Sequence, residues 1–331
     1  GGVIAACLAW NNPESMILAK VGIGVVTGLM GIYLMLKSLP QGDWRPRWRS
    51  MKTMVAYSIP LVLASTLGVI SLQLDKLIVS SMCSPEQFAV YSNGAIEIPL
   101  IGILTGSIAA VIQADLRRMV AAGDSRAALN LFRKAAEKSG ALLIPVMMFL
   151  LVHAEPFILT LFSSKYAGSV LPFRLYLLIL PIRIVNFGVF MMALGLTRAI
   201  MIRSLIGLCA NLILSIILVL QIGYLGAIIS TIICLYSVNC VLNFAIISRT
   251  VGCRWWQLVP FASLCRVAVV SLPAVLFSML LGLAPVHWPP AVLLIVNAVV
   301  FTGVLAMGAW VFRVVTLQEE ARRIRDKVLT W

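Results

Sequence analysis

Charged side chains are scarce in this sequence. Asp, Glu, Lys and Arg make up 11% of the 331 residues, whereas hydrophobic residues make up 61%. About a quarter of the residues are charged in a typical soluble domain, so the composition excludes that class. The net charge of +14 does not indicate nucleic-acid binding, because the basic residues follow a membrane topology described below. The sequence therefore predicts an all-α, polytopic membrane protein with no nucleic-acid partner.

Signatures of metal, disulfide and nucleotide chemistry are also missing. The seven cysteines form no CxxC pair, and neither histidine lies at ligand spacing, which is the usual mark of a metal site. The sequence has no glycine-rich P-loop of the kind that binds ATP phosphates. We therefore predict no catalytic residue, no metal and no cofactor, and we expect an ion gradient to be the energy source.

Nine apolar runs are long enough to cross a bilayer, at about 20 residues per crossing. They occupy residues 16–36, 53–80, 87–113, 139–161, 172–196, 200–220, 225–247, 258–283 and 291–312. Residues 1–10 are apolar but too short to span, and the chain does not begin with Met. We interpret this stretch as the end of a helix from a longer protein.

The polar loops alternate in charge. One alternate set contains 20 of the 26 lysines and arginines, and the other set contains only Lys165. The basic set comprises residues 37–52, 115–138, 197–203, 248–257 and 313–331. The positive-inside rule places this set, and with it the C-terminus, in the cytoplasm. An apolar stripe in 115–138 and another in 313–331 each predict an amphipathic helix at the membrane surface.

Several ionisable side chains lie at membrane depth. Such residues are tolerated mainly where they face a protein interior or a water-filled path. With about 1.5 Å of rise per residue, Glu97 and Arg183 lie about 15 Å from the outer ends of their spans, and Asp75 and Lys76 only about 6 to 8 Å. Depth therefore favours Glu97 and Arg183 as the core of a polar cavity. A purely structural ion pair between these two, and an outward-reaching Lys76, remain open alternatives.

Pro60, Pro99, Pro145 and Pro181 each lie inside a different predicted span. Proline removes a backbone donor and kinks or breaks a helix. Broken helices are common in transporters that alternate between two states. The prolines are therefore consistent with a transporter.

The segment that begins at Ser58 reads SIPLVLASTLGVISLQLDKLIVSSMCSPEQFAVYSNG. It resembles the start of the second lobe in bacterial Wzx-type flippases for lipid-linked oligosaccharides, which are polysaccharide biosynthesis proteins of the superfamily that also contains multidrug and toxin extrusion transporters. The resemblance lies in Pro60, in the pair Asp75-Lys76 and in the pair Tyr91-Ser92. Residues 161–198 and the turn around Gly223 are similar to later segments of the same family.

The resemblance implies two six-helix lobes around a central cavity. In this chain, residues 1–36 would end the first lobe, 37–52 would form a cytoplasmic linker and 53–247 the second lobe. Residues 248–312 would add two further helices, and 313–331 would form a cytoplasmic tail. A polyprenyl-pyrophosphate-linked oligosaccharide would cross the bacterial inner membrane through the cavity by alternating access. A polysaccharide polymerase and chain-length proteins are possible partners beside the lipid bilayer.

The polar residues suit this activity. Arg183 and Lys76 can bind a pyrophosphate, because cationic donors form strong hydrogen bonds with phosphate oxygens. Gln73 and Asn93 can form hydrogen bonds with sugars. Glu97 or Asp75 can couple transport to an ion gradient, because a carboxylate changes its protonation with its surroundings.

Three other functions compete with this interpretation. A cation-coupled drug or toxin antiporter would need an acidic cavity, whereas Arg183 and Lys76 are basic. A flippase for a peptidoglycan precursor would have a cationic cavity of the same kind. A membrane polymerase or ligase usually needs a large outer loop, but the longest predicted outer loop, 162–171, is short.

Overall fold

The computed structural model describes residues 13–38, 48–282 and 289–311, and all regular elements within them are helical. The α-helices are α1 (Pro13–Ser38), α2 (Trp48–Met82), α3 (Pro85–Gly94), α4 (Pro99–Ala121), α5 (Ser125–Val152), α6 (Ala154–Phe162), α7 (Val170–Leu177), α8 (Leu180–Ile184), α9 (Phe187–Ala193), α10 (Thr197–Ile222), α11 (Leu225–Ile233), α12 (Val241–Val251), α13 (Phe261–Gly282) and α14 (Pro290–Val311). Short 3-10 helices occupy Ser164–Ser169 and Trp255–Gln257, and Cys234–Cys240 is a π-helix between α11 and α12.

The predicted class, an all-α polytopic membrane protein, is confirmed. Within the described residues, seven helices are long and apolar enough to cross a membrane. An eighth span is the bent pair Ser164–Leu177 and Leu180–Ala193, whose halves meet at 44°. The remaining predicted span, 16–36, lies within α1, of which Val21–Lys37 forms a shorter apolar helix.

The division into lobes stays a prediction. The structure forms two compact units with a boundary between Thr53 and Met54, and everything described below lies in the second unit. The predicted helix end at 1–10, positions 39–47 of the predicted linker and the predicted tail 313–331 lie outside the described residues.

Local sequence explains where the helices end. Ser84 begins α3 with a capping box, in which its hydroxyl accepts from the Gln87 amide at 3.3 Å and the Gln87 side chain accepts from the Ser84 amide at 3.2 Å. Gly223 ends α10 with a φ of +67°, a conformation that glycine adopts without steric cost. Both turns lie in short loops predicted on the outer side, one between spans 53–80 and 87–113 and the other between spans 200–220 and 225–247.

Helix α5 lies at the centre of the main core and packs against α4, α8 and α13. Asp124 caps it, accepting from the Ala127 amide at 2.9 Å. Phe132, on its apolar stripe, is buried and stacks on Phe190 with ring centroids 4.6 Å apart. The predicted surface helix within 115–138 is therefore wrong, because this stripe faces the core and the helix continues into the span.

Helix α2 contacts the bundle at two separate places. Near its start, Tyr57 donates to the Met192 carbonyl at 3.2 Å. Near its end, Ile78 and Val79 are buried in a cluster with Tyr91 and Val219. Between these contacts, one face of α2 borders the cavity described next.

Two of the four prolines mark breaks. Pro99 begins α4 after an extended Ile98, and Pro181 lies in the first turn of the five-residue helix α8. Pro60 and Pro145 lie inside the continuous helices α2 and α5. The breaks at residues 95–98 and 178–179 therefore lie beside Glu97 and Arg183, the two deepest charges.

Candidate functional site

A cavity of about 620 Å³ lies among the membrane-spanning helices. Its walls come from α2, from the break after α3, from α7 and α8, and from α10, α11 and the π-helix. Helix ends at the breaks beside it have backbone groups without the usual intrahelical partners. Such irregular backbone is tolerated at membrane depth where it lines a cavity.

The cavity brings together most of the residues that the sequence singled out. Gln73, Asp75, Lys76, Glu97 and Arg183 all line it. Asn93 does not belong to its lining; it is half-buried on α3, in the turn before the break. The candidate residues from three different segments therefore converge on one space.

Asp75 is buried in a cluster of neutral polar side chains, with 7% of its surface exposed. The amide of Asn211 donates to Asp75 Oδ1 at 3.0 Å, and the hydroxyl of Ser215 donates to the same oxygen at 3.3 Å. The hydroxyl of Thr231 donates to Oδ2. Three donors stabilise the ionised carboxylate, and within the described residues Asp75 has no ion-pair partner.

This cluster depends on close packing of α10 and α11. Gly207, Asn211 and Ser215 recur every four residues along α10, so they share one buried face. On α11, a Cβ atom at Gly226 would overlap the backbone of Leu218 and Val219. The glycine lets the helices approach closely, and Ser230 then contacts both Asn211, at 3.2 Å, and Ser215.

Glu97 and Arg183 form an ion pair across the two broken spans. The guanidinium of Arg183 donates to Glu97 Oε1. The arginine side chain is 29% exposed and the glutamate side chain 42%, so both remain accessible from the cavity. Because both side chains are partly exposed, Arg183 can leave Glu97 for another anion without leaving a buried charge unpaired.

Two further cations line the cavity. Lys76 is exposed next to Asp75 and has no ion pair within the described residues. Arg203 donates to Asn243 Oδ1 at 2.9 Å and to Ser204 Oγ at 3.4 Å. The cavity therefore holds three cations and two carboxylates from the described part of the chain.

Sequence reasoning missed Arg203, Asn211, Ser215 and Thr231. The predicted loop 197–203 includes Arg203, but α10 begins at Thr197 and Arg203 lies inside it. Asn211 and Ser215 are small neutral residues in an apolar run, and only their four-residue spacing marks a common face. That spacing was the available signal.

Two further polar residues of the predicted spans, His153 and Arg174, lie outside this site. His153 is 5% exposed and contacts Ser278 at 3.1 Å, between α5 and α13. Arg174 donates to the Leu151 carbonyl at 3.2 Å. Neither His153 nor Arg174 lines the cavity.

The family model described as "Polysaccharide biosynthesis protein" matches residues 3–171. No curated protein sequence matches the chain. A solved structure titled lipid II flippase MurJ, in an inward closed conformation, is similar with a TM-score of 0.59 at 16% identity.

The alignment with MurJ covers 94% of this chain and 66% of the MurJ chain. The present chain therefore spans less than two thirds of that protein's length. At this identity the likeness shows a shared all-helical fold. Because the family model matches just over half of the chain, the protein belongs to the polysaccharide biosynthesis protein family, as its resemblance predicted.

Proposed function

We propose that the protein is a flippase that moves a polyprenyl-pyrophosphate-linked oligosaccharide across the bacterial inner membrane for surface polysaccharide export. The family supports a glycan cargo, and the fold shared with a lipid II flippase supports transport of a lipid-linked one. The observation that carries the proposal is the cavity of about 620 Å³, which presents both cations and carboxylates among membrane spans.

Lys76 and Arg183 are the proposed ligands of the pyrophosphate. Lys76 has no competing ion pair within the described residues, whereas Arg183 is paired with Glu97. Binding at Arg183 therefore exchanges the glutamate for a phosphate oxygen. Gln73 lines the cavity and is a proposed sugar contact. Asn93 remains a proposed sugar contact in another state of the transport cycle.

Ion coupling is proposed for Asp75, with Glu97 as the second candidate. Asp75 joins α2 to α10 and α11 through its three hydrogen bonds. Uptake of a proton or a monovalent cation changes the charge at this junction. A ligand that binds one arrangement of the helices more tightly shifts the equilibrium towards that arrangement, which is what alternating access requires.

A peptidoglycan-precursor flippase is the second candidate function, and the MurJ-like fold favours it. A cationic-drug antiporter is disfavoured, because Lys76, Arg183 and Arg203 all line the cavity. In either flippase we propose a cytoplasmic C-terminus, from the charge distribution of the loops. For the oligosaccharide flippase, we propose that a polysaccharide polymerase and chain-length proteins act on the translocated lipid-linked oligosaccharide.

Deletion of the gene tests the proposal. We expect loss of surface glycan and accumulation of the polyprenyl-pyrophosphate-linked oligosaccharide in the inner membrane, both restored by the full-length gene. Normal glycan display without the protein, and without an accumulated intermediate, would contradict the function. Accumulation of the lipid-linked peptidoglycan precursor instead would favour the second candidate.

A further inference from the structure

Arg203 differs from Arg183, the other arginine of the cavity, because no carboxylate from the described part of the chain neutralises its charge. Arg183 is paired with Glu97, whereas Arg203 has no carboxylate partner within the described residues. Its hydrogen-bond acceptors are the neutral side chains of Asn243 and Ser204. A partly buried cation without a counter-ion is costly, which indicates that an anion completes this site.

The guanidinium also has unused donors. Arginine carries five N–H groups in a planar fork, and two of them bind Asn243 and Ser204. The Nε atom is buried and has no hydrogen-bond partner within the described residues. Phosphate and carboxylate are the anions whose geometry matches this fork.

The surroundings hold the guanidinium in place. Asn243, at the start of α12, is 3% exposed and accepts from Arg203 at 2.9 Å. One turn earlier, Asn239 of the π-helix lies against Gly207, where a Cβ atom would be 2.9 Å from its Oδ1. The π-helix and the start of α12 therefore each present one amide side chain to α10, Asn239 and Asn243. Such π-helical turns frequently occur at functional sites.

We infer that Arg203 is an anion subsite of the cavity and binds a phosphoryl group of the transported polyprenyl-pyrophosphate lipid. The inference rests on the proposed flippase function. Arg203 lies six residues after the first residue of α10, about 9 Å into the helix at 1.5 Å per residue. This end of α10 is the predicted cytoplasmic end, where the substrate enters. Arg203 then acts as a specificity residue that admits pyrophosphate-linked lipids.

The test measures binding of polyprenyl pyrophosphate to the full-length protein in nanodiscs of zwitterionic lipid. We expect Arg203→Gln to weaken binding about tenfold, on the scale of one lost charged hydrogen bond. Arg203→Lys keeps the charge but not the fork, so we expect an intermediate affinity. Asn243→Asp supplies a carboxylate beside the guanidinium and is expected to weaken binding while leaving Arg203 unchanged.

Arg198→Gln is the matched control, because Arg198 is exposed on the same helix and does not line the cavity. Thermal unfolding is recorded for each variant, so that a misfolded protein is not scored as a binding defect. Wild-type affinity in both Arg203→Gln and Asn243→Asp would overturn the subsite.

Two further results separate this inference from its alternatives. If phosphatidylglycerol added to the nanodiscs binds through Arg203 and polyprenyl pyrophosphate does not, the site belongs to a lipid headgroup and the substrate assignment is overturned. If the wild-type protein does not bind polyprenyl pyrophosphate at all, the proposed flippase function fails together with the subsite. If wild-type binding is strong and independent of Arg203, only the subsite fails.

Discussion

Asp75 and Glu97 line the same cavity but are held in opposite ways. Asp75 is 7% exposed, and its described partners are neutral donors on α10 and α11. The Glu97 side chain is 42% exposed, and its described partner is the cation Arg183 on the short helix α8. Asp75 lies in a packed junction of helices, and Glu97 forms an ion pair between two broken spans.

The difference suggests a division of labour. A change of charge at Asp75 acts directly on three helices. Asp75 lies on α2, and its hydrogen bonds reach side chains on α10 and α11. A change at Glu97 mainly releases or retains Arg183, which is itself a proposed substrate ligand. We therefore expect Asp75 to govern ion coupling and Glu97 to govern competition with the substrate. The following predictions test this distinction.

The largest effect is expected for Asp75→Asn. An amide cannot take up a proton or a cation as the carboxylate does, so ion-driven transport should fall on the order of 100-fold, about 2.7 kcal/mol in activation free energy. The measurement is flipping of a labelled lipid-linked oligosaccharide in liposomes with an imposed ion gradient. Glu86→Gln is the control, because Glu86 is exposed at the start of α3 and outside the cavity lining. Gradient-driven transport at the normal rate in Asp75→Asn would remove the distinction between the two carboxylates.

Gly226→Ala should have the next largest effect. The added methyl overlaps the backbone of α10, which cannot move aside as a flexible side chain can. Overpacking of this kind costs about 1–3 kcal/mol, and here it separates the helices that hold Asp75. Thermal unfolding of the purified protein measures the loss. Gly102→Ala on α4 is the control, because its Cβ would meet nothing within 4 Å; equal unfolding temperatures in both variants would contradict the packing argument.

A smaller effect is expected for Thr231→Val, which keeps the side-chain shape and removes one donor to Asp75. The loss should be about 1 kcal/mol of stability, with a few-fold slower transport. Thr105→Val is a matched control, because Thr105 bonds its own helix at the Ile101 carbonyl, 2.9 Å away. A loss in Thr105→Val as large as that in Thr231→Val would show that the bond to Asp75 has no special weight.

Four of the five charged residues of the cavity could be predicted from sequence, because charge is conspicuous in an apolar run; the fifth, Arg203, falls in a predicted loop. Asp75, Lys76, Glu97 and Arg183 were found in this way, although depth alone ranked Glu97 above Asp75. The structure places both carboxylates on the cavity. Depth along a span gives no information about which neighbours a side chain meets.

The neutral side chains that bind Asp75 could not be predicted in the same way. Asn211, Ser215 and Thr231 lie 136, 140 and 156 positions after Asp75, and only the packing of α2 against α10 and α11 brings them together. The breaks show the same limit. All four prolines could have marked one, but only Pro99 and Pro181 do so, because the surrounding packing decides whether the freed backbone groups find partners. The π-helix at Cys234–Cys240 has no comparable marker in the sequence.

The smallest effect is expected for the coupling between Glu97 and Arg183. Because both side chains are partly exposed, a double-mutant cycle with Glu97→Gln and Arg183→Gln should give only about 0.2–1 kcal/mol of coupling in stability. Binding should respond differently from stability. Glu97→Gln frees the guanidinium and should raise the affinity for polyprenyl pyrophosphate, whereas Arg183→Gln should lower it.

Opposite signs in binding, together with a small coupling in stability, would show that the ion pair is exchangeable with the substrate and is not a structural clamp. The exposed pair Asp115–Arg118, 3.5 Å apart on α4, provides the control cycle, since it should show similarly weak coupling and no effect on binding. A coupling in the Glu97–Arg183 cycle of several kcal/mol, with both single variants losing affinity alike, would mean that this pair holds the broken spans together. Glu97 would then resemble Asp75 in its role, and the contrast between the two carboxylates would rest on exposure alone.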